Sequence, residues 1–203
     1  AGLHVSAVEK DPSLYEHIDP ALIGNRRQIV VSDQSGRANI LSNFRDMGIE
    51  IAANDPRVMR LVEQVKEREF QGYAYDGAAA SFALLAHRLV GKVPEYFQLD
   101  SFRVIDERRV NAAGELVTMS EATVKVTVGE TQAMTVAEGN GPVNALDAAL
   151  RKALMPHYRA MQGMRLVDFK VRILTPTDGT AAVTRVLIES ADDEDERWVT
   201  VGV

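Results

Sequence analysis

The sequence predicts an α+β fold: helical linker subdomains followed by a duplicated β-β-β-α domain whose second unit stops before its helix. Three observations predict it. Turn formers and charge fill residues 1–36, apolar residues recur at helical spacing over 37–98, and after Pro94 the period drops from 3.6 to 2. The alternating grammar then occurs twice, three strands each time, which describes a pseudo-twofold duplication. The divisions are therefore 1–36, 37–98 and 99–203.

In the first stretch Asp11-Pro12 and Asp19-Pro20 favour extended or turning backbone before each proline. Ser35 is a candidate cap for a helix starting near Gly36, with Ile40, Leu41, Phe44 and Met47 on one face and Gly48 as its stop. Asp55-Pro56 starts a second, with Val58, Leu61, Val62 and Val65 at i, i+3, i+4 and i+7. A third spans Gly77 to Val90 and ends at Gly91. Beyond Pro94, Phe102, Val104 and Asp106 alternate with Arg103 and Ile105. Runs 122–128 and 132–136, joined across Gly129, read as a β-hairpin. Pro142 opens a helix carrying Val143, Leu146, Ala149, Leu150 and Leu154 on one face. Strands are then expected over Met164–Leu174, with Leu166 beside Asp168 and Lys170, over Ala181–Glu189, and over Trp198–Val203. Val203 ends the sequence on a strand, where the first unit would enter its helix, so a truncated second unit is expected.

Composition narrows the functional classes. Hydrophobic residues at 46% and charged ones at 26% suit a soluble globular chain. There is no cysteine, which removes disulfides and thiolate metal sites and fits a reducing cytoplasm. A net charge of −6 lacks the concentrated positive face of a nucleic-acid binder, and Arg26-Arg27 and Arg108-Arg109 read as solvated. No apolar run is long enough for a membrane span, and neither a secretory signal nor an initiator Met is present. The chain is expected to begin inside a longer reading frame.

Four segments carry a family resemblance: Ala1–Val8 with Leu14-Tyr15-Glu16-His17, Ser32–Ile40, Glu67–Tyr73 with Ala80-Ser81-Phe82, and Glu138–Leu146 with Phe169–Arg172. In this order they resemble the region after the catalytic barrel in citramalate and 2-isopropylmalate synthases. Tyr15–Pro20 and Asp168–Leu174 are closer to the citramalate enzymes. The resemblance implies a parent acyltransferase that joins acetyl-CoA to pyruvate, with residues 99–203 as an allosteric and dimerisation domain sensing isoleucine. It also implies a homodimer. The divalent metal of such enzymes belongs to the barrel and its His-x-His motif; neither is in this sequence, so no cofactor is expected here and the chain should be inactive alone.

Condensation needs a base for the acetyl methyl proton and a metal to polarise the keto acid. The resemblance maps a proton-transfer histidine onto His4, whose imidazole has an ordinary pKa near working pH. It maps a residue that enters the partner subunit's active site onto Tyr15. The feedback site falls on Gly139, Asn140, Gly141 and Pro142, where a helix N-terminus can attract a carboxylate. Val143, Leu146 and Leu150 either line an aliphatic pocket or belong to the core. Thr177–Thr180 is a candidate counterpart in the second unit. His87 and His157 are expected at helix ends or surfaces and not as ligands.

Two other readings compete: a 2-isopropylmalate synthase region sensing leucine, and a free-standing small-molecule-binding dimerisation module. A hydrolase built on Ser81 and His87 finds no Gly-x-Ser-x-Gly elbow.

Overall fold

The structure is a computed structural model that describes residues 11, 17–18, 20–24, 36–91 and 93–203. Ser35, His4, Tyr15 and Arg26-Arg27 lie outside the described residues. In chain order the elements are α1 (Arg37–Asp46), α2 (Pro56–Phe70), α3 (Ala79–Leu89), β1 (Gln98–Val110), β2 (Leu116–Val128), β3 (Thr131–Gly139), α4 (Pro142–Leu154), β4 (Arg165–Ile173), β5 (Thr184–Ala191) and β6 (Arg197–Gly202). Short 3-10 turns cover Pro20–Ile23, Tyr75–Gly77, Arg159–Gln162 and Pro176–Ala181. Helices and two antiparallel three-stranded sheets make the fold α+β, consistent with a duplicated β-β-β-α domain.

The chain divides into two compact units, Ala1–Val93 with Arg165–Val203, and Pro94–Met164. In the first, Asp55 caps α2 by accepting the Arg57 N–H at 2.8 Å, and Pro56 occupies a first-turn position. Val58, Leu61, Val62 and Val65 are buried, as their spacing predicts, against Ile40 and Phe44 of α1 and Phe82 of α3. Gly48 and Gly91 follow α1 and α3 with positive φ, the expected helix stops.

α3 packs on β6, the edge strand of the β4-β5-β6 sheet. The Val201 N–H donates to the Ser81 hydroxyl oxygen at 2.9 Å, and Val201 joins the α1–α3 core. An element that the sequence reads as linker, α3, therefore lies against the edge of this sheet. Gly72 closes the other end of this packing. A side chain there would collide with Leu174, and the Gly72 carbonyl accepts a hydrogen bond from Arg185 at 3.1 Å.

A bulge in β4 corrects one expectation. Leu166 pairs with Ser190 but Asp168 pairs with Glu189, so one extra residue enters the strand between them. Leu166 is thereby shifted away from Asp168 and Lys170 onto the face of Phe169, Val171 and Ile173. The Pro176–Ala181 turn also delays β5 until Thr184.

In the second unit α4 lies across β3 and β2 and only marginally over β1. Val104 packs into this core, whereas Phe102, on the same inward face, stays 58% exposed because the helix does not reach it. The unit's turn Asn111–Glu115 is held by the Asn111 side chain, whose oxygen accepts from the Ala113 and Glu115 N–H groups, both at 2.9 Å. At the far end the Tyr158 hydroxyl donates to the Tyr96 carbonyl.

Candidate functional site

The feedback residues suggested by the sequence gather where β3 runs into α4. Gly139 ends β3, Gly141 is the N-cap of α4, and Pro142 follows as its first residue. Gly139 is required by close approach: a Cβ there would come 2.5 Å from the Ala145 nitrogen and 2.6 Å from the Asn144 side-chain oxygen. That oxygen accepts the Asn140 N–H at 3.2 Å, while Ala145 N–H donates to the Gly141 carbonyl at 3.0 Å. The loop is thus folded back onto the first turn. The N–H groups of Val143 and Asn144 precede this first intrahelical bond, so they form the positive end of the helix.

The aliphatic candidates separate. Leu146 and Leu150 are half-buried and pack against the unit's core, so they serve the core whatever else they line. Val143 is 50% exposed and is not part of that cluster. The stripe that contacts the sheet is Ala145, Ala149 and Ala153 with Leu154, all buried. A face drawn through the largest apolar residues points slightly away from the true contact, because small side chains let the helix approach the sheet closely.

A polar row runs beneath the loop. Gly139 pairs with Ser120, and Ser120 pairs with Asp106 on β1. Ser120 is 1% exposed and its hydroxyl donates to the Asp106 carboxylate. Alternation places Asp106 inward, but its link to Gly139 needs the β1–β2 register, set by the turn at Asn111–Glu115. The row puts a carboxylate on the same sheet face as a helix N-terminus. Those two groups suit a ligand carrying both an ammonium and a carboxylate.

Thr177–Thr180 lies in the turn between β4 and β5. In the β1-β2-β3 repeat the matching place belongs to the Asn111–Glu115 turn, so Thr177–Thr180 is not a counterpart of the β3–α4 loop. His87 sits in the last turn of α3, and His157 follows α4, its N–H donating to the Leu154 carbonyl at 2.9 Å. Ser81 uses its hydroxyl to dock β6, a structural task. Among the described residues no three His, Cys, Asp or Glu side chains converge as metal ligands, so these residues do not fit the divalent metal that the resemblance assigns to the barrel. No helix among them is long and apolar enough to cross a membrane.

Comparison with known proteins agrees with the resemblance. Residues 1–72 match the family model for a homocitrate synthase post-HMGL domain-like region. The chain is 48% identical to (R)-citramalate synthase of Geobacter sulfurreducens, 44% to that of Aquifex aeolicus and 38% to that of Sulfolobus acidocaldarius. Each alignment covers all of this chain but only 36–38% of the relative. The chain therefore spans less than two-fifths of the curated relatives it matches. Residues 76–203, more than half of the chain and including α3, both sheets and the β3–α4 loop, match the model of the LeuA allosteric (dimerisation) domain, and the chain belongs to that family.

Proposed function

We propose that this chain is the regulatory region of an acetyl-CoA-dependent 2-oxo acid condensing enzyme, a citramalate synthase acting on pyruvate, and that it works as a homodimer sensing isoleucine. The observation that carries this reading is identity along the entire chain to (R)-citramalate synthases of several organisms. His4 and Tyr15 are its proposed contributions to the condensing site, His4 in proton transfer and Tyr15 against the partner's substrate. The metal that polarises the keto acid is held elsewhere in the enzyme.

For the effector, the α-carboxylate is proposed to meet the Val143 and Asn144 N–H groups, and the α-ammonium to meet Asp106. Val143 supplies exposed aliphatic surface for the side chain. The charge order supports this arrangement: anion at the positive helix end, cation at the carboxylate.

Isothermal titration of the chain with isoleucine, leucine and valine tests it. Isoleucine at 100 times its dissociation constant should stabilise the folded state by about 2.7 kcal/mol. Asp106→Asn should weaken binding without altering the apo melting temperature by more than a few degrees. Preference for leucine would move the reading to a 2-isopropylmalate synthase. Silence from all three amino acids at millimolar concentration would remove the effector site.

A further inference from the structure

Asn140 is the one asparagine in the sequence that precedes a glycine. Such a pair carries a reactivity of its own: the glycine nitrogen attacks the asparagine side-chain carbonyl, because no Cβ crowds its approach. Folding normally blocks this reaction by occupying either the nitrogen or the amide. Here it blocks neither. Asn140 is exposed, and among the described residues its side chain makes no hydrogen bond. The Gly141 N–H donates none either, since the bonds that hold the loop use the Asn140 N–H and the Gly141 carbonyl.

The other asparagines among the described residues are held. Asn39 and Asn43 lie inside α1, and Asn144 lies inside α4, where the following Ala145 N–H is bonded to the Gly141 carbonyl. Asn111 commits its side chain to the Ala113 and Glu115 N–H groups. After Asn54, the Asp55 N–H donates to the Ala52 carbonyl at 2.9 Å. The one free pair therefore falls on the β3–α4 loop.

We propose that Asn140-Gly141 is a self-modification site, where the asparagine becomes isoaspartate or aspartate and so sets a carboxylate before the N-terminus of α4. The Gly141 nitrogen, its proton lost to water, bonds to the Asn140 Cγ, and the Cγ–Nδ2 bond breaks to release ammonia. Water then opens the resulting ring at either carbonyl. Opening at the main-chain carbonyl leaves isoaspartate, and opening at Cγ leaves aspartate. One water is consumed and one ammonia released, with no change of oxidation state. Isoaspartate carries the chain through an extra methylene. The loop cannot take this up inward, since Gly139 lies so near α4 that even a Cβ would collide with the Ala145 nitrogen. The new charge stands by the free N–H groups of the helix, the place given above to the effector's carboxylate. The two compete, so modification lowers the affinity for the effector.

Peptide mass spectrometry of the whole chain, aged at mildly alkaline pH, tests the site. Asn140 should convert ahead of every other asparagine, with isoaspartate as the larger product. Gly141→Ala should slow the conversion at least about 10-fold, since a methyl group raises the barrier to attack. That variant should fold, because Gly141 is extended and a Cβ there meets nothing within 4 Å. Earlier conversion at another asparagine, or equal rates in the native protein and Gly141→Ala, overturns the site. The competition rests on the feedback reading and is measured separately, by titration. Aged protein should bind isoleucine at least about fivefold more weakly than fresh protein, the effect of one charge at a helix end. Equal affinity overturns the competition. Fresh protein that binds no isoleucine overturns the feedback reading and the competition with it, while the mass spectrum still decides the modification.

Discussion

Asp55 combines two interactions at the start of α2. Its carboxylate accepts the Arg57 N–H, completing the helix cap, and pairs with the Arg57 guanidinium at 2.7 Å. The Arg57 side chain first, and its backbone N–H second, hold the Asp55 pKa down at about 2 from 3.8. A group whose pKa is lowered on folding stabilises the protein fully above its unfolded value and loses that contribution as pH falls through the folded one. The melting temperature should therefore be flat in this respect above about pH 5 and should decline between about pH 4 and pH 2. Asp55→Asn retains a capping oxygen but not the ion pair, so its acid limb should be shallower than the native one in thermal melts across that range. An unchanged limb would show that other carboxylates govern acid unfolding. The Asp-Pro signature was legible in the sequence; the Arg57 partner was not, since an i, i+2 contact forms only when the cap bends the chain.

At the scale of elements, most helices and strands follow from local pattern, and the departures have identifiable physical causes. The α2 spacing names the buried residues correctly because that helix packs in a core of ordinary large side chains. The α4 pattern names Val143, Leu146, Ala149, Leu150 and Leu154, of which Ala149 and Leu154 are buried; it misses the buried Ala145 and Ala153 and includes the half-exposed Val143. Periodicity weighs residues by size, and a helix pressed against a sheet selects for smallness. Ala149 is fully buried, and its carbonyl accepts the Thr135 hydroxyl at 2.7 Å, tying α4 to β3. Ala149→Leu should consequently cost about 1–3 kcal/mol in urea unfolding through overpacking. Val143→Ser, at a half-exposed position, should stay within about 0.5 kcal/mol. Equal effects at the two positions would mean that α4 packs through its large residues after all. The β4 bulge escapes sequence analysis for a different reason: alternation runs unbroken through Leu166–Ile173, and only pairing with β5 shows the extra residue.

At the scale of the whole molecule, connectivity was the least legible feature. Two β-β-β patterns and one following helix suggest a unit left incomplete, but no local signal says that the upstream helix α3 packs on the edge of the second sheet. That packing depends on long-range contacts such as the Val201 N–H with the Ser81 hydroxyl. Each unit encloses its own core: Ile40, Phe44, Leu61 and Phe82 in one, Val124, Val126, Ala149 and Leu154 in the other. Residues 94–164 are contiguous, whereas the first unit is assembled from both ends of the chain. Separate cores open separately unless coupled, so calorimetry of the 203-residue chain should resolve two transitions. The proposed effector groups, Asp106, Val143 and Asn144, all belong to the 94–164 unit. A ligand stabilises the structure that binds it, so isoleucine should raise the transition of this unit and leave the other in place. Asp55→Asn, in the first unit, should move only the transition that isoleucine leaves alone. A single transition shifted by both changes would instead show that the two units unfold as one cooperative body, with the effector felt throughout the chain.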